Sequence, residues 1–104
     1  MASETVTQLQ LTQQNLQSVA AQKQQLESQL VELDSALREL SSAEESFKII
    51  GKIMVAASKN DLTMELGEKR ELLSVRLKNF TKQEEKLAAV VEQLQQEILK
   101  ENKK

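Results

Sequence analysis

The sequence predicts a mainly α-helical fold, an antiparallel coiled-coil hairpin of two long helices joined through one short β-hairpin. Three observations lead there. Leucine-rich heptads run over residues 5–42, and a second set runs over 59–101. Between them lies Phe47-Lys48-Ile49-Ile50-Gly51-Lys52-Ile53-Met54-Val55-Ala56-Ala57, where β-branched residues crowd around a glycine. All 104 residues are read as a single domain whose strands fall near 46–50 and 53–57.

In the first helix, Leu9, Leu16, Lys23, Leu30 and Leu37 repeat at one heptad position. Thr12, Val19, Leu26, Leu33 and Leu40 repeat three residues later, so the two rows form one stripe on a helix. The register is firmest from Leu26 to Leu40. Thr12 and Lys23 weaken it earlier, although a lysine stem can be buried while its amine stays wet. Counted from Thr5 to Ser41, the helix would span roughly 55 Å at about 1.5 Å per residue.

Ser41-Ser42-Ala43-Glu44-Glu45 follows, and serine draws backbone hydrogen bonds away from helix geometry. Gly51-Lys52 then suits a tight turn. On the strand reading, apolar side chains occupy both faces of the hairpin. A lone hairpin is marginal in water, and its edges leave backbone groups unpaired. Phe47, Ile49, Ile50, Gly51, Ile53, Met54 and Val55 are therefore expected to mediate oligomerisation, with other chains completing the sheet. Periodicity alone also allows a buried amphipathic helix over the same run.

The second helix places Leu66, Leu73, Phe80, Leu87 and Leu94 in one row and Thr63, Arg70, Leu77, Glu84, Val91 and Ile98 in the other. Arg70 and Glu84 interrupt this seam, and each must snorkel or find a partner. Ser58 or Asn60 is placed to cap the helix start. Gly67, inside the helical pattern, costs about 1 kcal/mol relative to alanine. Close packing or a local bend would each explain it. Similar helix lengths favour a chain folded back on itself, with both termini at the tip furthest from residues 46–57.

Composition excludes several function classes. The chain has 39% hydrophobic residues, two aromatics (Phe47 and Phe80), and no His, Cys, Pro, Trp or Tyr. Fourteen basic and 16 acidic residues are interspersed to a net charge of -2, which gives no field to gather nucleic acid or anionic lipid. Lys100, Lys103 and Lys104 make a small basic tail, read as a solvated helix end. No apolar run reaches the roughly 18 residues of a membrane span, and the start lacks a basic-then-apolar export signal. A cytoplasmic location is the default expectation, and absent cysteine fits a reducing compartment.

Serine and threonine nucleophiles lack a histidine partner, and no distinctive arrangement marks a catalytic lysine. The pairs Glu44-Glu45 and Glu84-Glu85 are adjacent on a helix, so their side chains diverge instead of facing each other. No Gly-rich phosphate cradle or metal-ligand spacing occurs. No enzyme activity, cofactor or metal is expected.

The central motif resembles the aromatic-Lys-x-apolar-Gly strand-turn-strand signature of β-class prefoldin subunits of the archaeal type. Glu65-Leu66 and Leu73-Ser74-Val75-Arg76-Leu77 are similar to the Glu-Leu and Val-Arg-Leu elements of the family's second helix. The flanking heptads extend the resemblance over nearly the whole chain. Phe47 stands where the family commonly has tyrosine, and Gly67 where a charged helix former is common.

The resemblance implies a co-chaperone heterohexamer of two α-class and four β-class subunits. Each β-class chain would contribute one hairpin to a double β-barrel base. The coiled-coil tips would capture nonnative polypeptides without ATP and pass them to a group II chaperonin. The expected partners are thus an α-class prefoldin subunit, further copies of this chain, nonnative polypeptides and the chaperonin, with neither nucleic acid nor membrane.

For client contact, the candidate tip residues are Val6, Leu9, Leu11, Val90, Val91, Leu94, Ile98 and Leu99. Their plainer role would be broader packing within the chain or against a neighbouring rod. A structural coiled-coil adaptor without client capture is the alternative function.

Overall fold

A computed structural model describes residues 2–102. Helix α1 spans Ala2–Ser42, strand β1 Phe47–Ile50, strand β2 Ile53–Ala56 and helix α2 Lys59–Asn102. The strands pair antiparallel, so the amphipathic-helix alternative for residues 46–57 is incorrect. β-Branched side chains and a turn glycine outweigh the ambiguous periodicity there. The chain divides into two compact units, residues 26–76 and residues 2–25 with 77–102.

In the unit of residues 26–76, Leu26, Leu33, Leu40 and Leu73 are buried; Leu73 is only 4% exposed. Two cross-helix contacts show that α1 and α2 run antiparallel here. Arg70 donates to the Asp34 carboxylate, and Lys59 Nζ donates to the Ser41 carbonyl at 2.8 Å. The second contact also closes α1. That helix has no basic residue in its last turn, so Lys59 of α2 supplies the cation its carbonyl end favours. Ser41 and Ser42 hydroxyls donate to the Arg38 and Glu39 carbonyls at 2.7 and 3.3 Å. Of the two capping candidates, Ser58 caps α2: its hydroxyl accepts from the Asp61 N–H at 3.4 Å.

Thr63 does not lie in the seam. It is exposed, with its hydroxyl on the Lys59 carbonyl, and Leu62 is half-buried instead. A strict seven-residue row drifts by about 20° per heptad from a straight helix, enough to bring the neighbouring residue inward. Arg70 is likewise exposed, turned out of its row toward Asp34.

The hydrogen bond from Arg70 lowers the Asp34 carboxyl below its usual 3.8, opposed by desolvation and aided by the Arg70 charge. The folded value thus lies below the unfolded one. Its stabilisation is present above about pH 3.8 and fades as pH falls through the lower folded value. Asp34→Asn should therefore remove part of the acid-induced loss of stability, measured as thermal midpoint against pH between 2 and 5.

Gly67 lies in open space, where an added Cβ would meet nothing within 4 Å, so close packing within the chain does not explain it. Gly67→Ala should raise stability by up to about 1 kcal/mol through helix propensity, read from chemical denaturation.

In the unit of residues 2–25 and 77–102, Thr5 and Leu94 are buried. Leu9, Thr12, Leu16, Val19, Leu77, Phe80, Leu87, Val91 and Ile98 are half-buried along the two rows. Lys23 and Glu84 meet across this seam at 3.1 Å, each part-buried. Each is the other's partner, as charged groups on seam rows require. Lys23→Met alone should destabilise by about 1 kcal/mol by stranding Glu84. Adding Glu84→Leu should recover that loss, seen as non-additivity in a double-mutant cycle.

Candidate functional site

The β-hairpin is the first candidate surface. Its register pairs Phe47 with Ala56, Lys48 with Val55, Ile49 with Met54 and Ile50 with Ile53. Cross-strand partners share a face, so Phe47, Ile49, Met54 and Ala56 occupy one side and Lys48, Ile50, Ile53 and Val55 the other. Phe47, Ile49, Ile50, Ile53, Met54 and Val55 are all 43–69% exposed. Gly51 closes the turn with φ of 61°, while no other described residue has positive φ. Positive φ at the first turn position alone is the type II′ pattern, which favours glycine and matches strand twist.

Two hydrogen bonds close the hairpin at its open end, and an ion pair ties it to α2. Ala57 N–H donates to the Ser46 carbonyl at 3.0 Å, and the Ser46 hydroxyl donates to the Ala57 carbonyl at 2.6 Å. Lys48 Nζ meets Glu65 at 3.0 Å. That ion pair gives a physical reason for two separated motif pieces, since the strand lysine and the helix Glu-Leu hold β1 to α2. The Leu73 motif supplies the most buried leucine of the chain.

A groove of about 500 Å³ opens in the same unit between α1, β1 and α2. Leu40, Phe47, Leu62 and Leu66 line it with Ala36 and Ala43, and its polar lining comes from Glu39, Glu45, Ser46, Lys48 and Glu65. Sequence reasoning missed it because its residues come from three separate elements. The only linear signal was small alanines at positions 36 and 43 beside the leucine row.

The second candidate surface lies near the chain termini, within the other unit. Val6, Leu11, Val90 and Leu99 are 38%, 56%, 41% and 60% exposed. Leu9, Val91 and Ile98 are half-buried, and Leu94 is buried at 8%. The eight candidates therefore separate into four outward-facing side chains and four that fill or border the seam. At about 100° per residue, Val6 and Leu11 fall on opposite flanks of the α1 seam. Of the basic tail, Lys100 is exposed; Lys103 and Lys104 lie outside the described residues.

Among the described residues there is no cluster of His, Cys, Asp or Glu able to hold a metal ion. No described helix is long and apolar enough to cross a membrane. Glu44 and Glu45 lie in the bend after α1, not on a helix as expected, because α1 ends at Ser42; they and Glu85 are exposed, and Glu84 is committed to Lys23.

Residues 3–104 match the family described as prefoldin subunit. The chain belongs to the prefoldin family. Its similarity lies with the β class. It is 38% identical over 96 residues to the prefoldin subunit beta of Archaeoglobus fulgidus, covering 89% of this chain and 83% of that protein. The prefoldin subunit beta of Methanosarcina acetivorans is 34% identical over 96 residues, with coverage of 89% and 82%. Among solved structures, the prefoldin beta subunit from Thermococcus strain KS-1 superposes with a TM-score of 0.88 at 35% identity. That match covers 93% of this chain and 88% of the other. Two long helices with a short antiparallel β-hairpin between them are thus the prefoldin β fold, and the family carries a co-chaperone role.

Proposed function

We propose that this chain is an ATP-independent co-chaperone subunit that captures unfolded proteins at its coiled-coil tips and passes them to a group II chaperonin. One observation supports capture above the others: Val6, Leu11, Val90 and Leu99 stay exposed although the seam beside them is filled. Shallow apolar contacts of this kind hold nonnative chains without reading their sequence, at about 25 cal/mol per Å² of area covered. Repeated tips in an oligomer add avidity.

Assembly runs through Phe47, Ile49, Ile50, Gly51, Ile53, Met54 and Val55. A two-stranded sheet, apolar and exposed on both faces, needs strands and cover from other chains. An α-class prefoldin subunit and further copies of this chain supply them, building a β-barrel base in the cytoplasm. Capture needs neither nucleotide nor metal, and the chain performs no catalysis.

The test is light scattering from a chemically denatured client diluted into this chain plus an α-class subunit, without ATP. Suppressed aggregation is expected. A stable complex that leaves aggregation unchanged would make the chain a structural adaptor instead.

A further inference from the structure

We propose that the groove between α1, β1 and α2, lined in part by Glu39 and Glu45, receives the Gly51-Lys52 turn of a neighbouring copy of this chain. The inference rests on the hairpin-mediated assembly above and names its contact. Lys48 pairs with Glu65 in the groove's lining, which leaves Glu39 and Glu45 without an ion pair among the described residues. Leu40, Phe47, Leu62 and Leu66 line the same groove. A fitting occupant carries one cation flanked by bulky apolar groups.

The chain itself presents that chemistry. Ile50-Gly51-Lys52-Ile53 is exposed throughout, and Lys52 has no ion-pair partner among the described residues. Its own turn cannot serve. Four-residue strands rising about 3.3 Å per residue carry Lys52 roughly 13 Å from Phe47, which lines the groove. A second copy has no such constraint.

Groove and turn are different patches, so the contact is heterologous and passes from one chain to the next, closing when the rotation allows a ring. In it, the lysine stem would lie on the leucines while its ammonium meets Glu39 or Glu45, and the isoleucines would cover Phe47. Because part of this attraction is between exposed charges, raising ionic strength should weaken it.

Zero-length carbodiimide coupling, which joins an amine directly to a touching carboxylate, tests this on the assembled complex. Isotopically labelled and unlabelled chains are mixed so that links between copies are told from links within one. Links from Lys52 to Glu39 or Glu45 between copies are expected. In parallel, Lys52→Glu should weaken assembly by about tenfold. Adding Glu39→Lys and Glu45→Lys to the same chain should restore it, with far-UV circular dichroism confirming that every variant keeps its helices.

An oligomer of normal mass with no such link, or with Lys52→Glu assembling as before, overturns the contact while leaving hairpin assembly intact. Links found only between these glutamates and an α-class subunit also overturn it, since the occupant is then not a second copy. If the wild-type chain forms no oligomer with or without an α-class subunit, the assembly reading itself fails.

Discussion

Replacing Gly51 with valine is expected to abolish assembly while leaving both helices formed. Gly51 has φ of 61°, and an added side chain would meet no atom within 4 Å. The penalty is therefore backbone strain, about 1–2 kcal/mol or more for a β-branched residue at positive φ. That is small beside a folded domain but large beside a hairpin of two four-residue strands, which has little stability to lose. Far-UV circular dichroism should barely change, because α1 and α2 carry most of the signal. Native mass should fall to that of the single chain. Gly51→Asn should be milder, since asparagine tolerates such turns. An unchanged complex mass for Gly51→Val would count against the turn as an assembly element.

The second large effect concerns Val6, Leu11, Val90 and Leu99. Replacing all four with serine should remove client capture and spare both assembly and thermal stability. Each side chain is partly solvated already, so the fold has little burial to lose. A client covering a few tens of Å² on each would forfeit about 1 kcal/mol per residue. Four such losses together weaken a contact by about a thousandfold. Leu94→Ala, by contrast, should lower the thermal midpoint, because Leu94 is buried in the seam. If the four serines left aggregation suppression at the wild-type level, clients would have to bind elsewhere.

Much of this fold is legible in the sequence, and the reasons differ by element. Leu26, Leu33 and Leu40 repeat every seven residues, and only a helix burying one stripe makes sense of that spacing. The hairpin is legible because Gly51 sits between two β-branched runs. The misses are equally physical. Leu62 displaces Thr63 because a straight helix does not keep a strict heptad. Arg70 leaves its row because Asp34, 36 residues away in sequence, draws it outward.

The candidate site divides in the same way. Off-row apolar residues such as Leu11 and Leu99 are visible as departures from the heptad, whereas the burial of Leu94 follows from its place in the seam. The groove was invisible. Glu39, Glu45 and Phe47 belong to different elements, and only folding brings their side chains around one space.

Everything proposed for this chain depends on its hairpin being completed by other chains. Native mass spectrometry of the chain mixed with an α-class subunit tests that most directly. A six-chain complex containing both subunits is the predicted result, and separate monomers under the same conditions would contradict it.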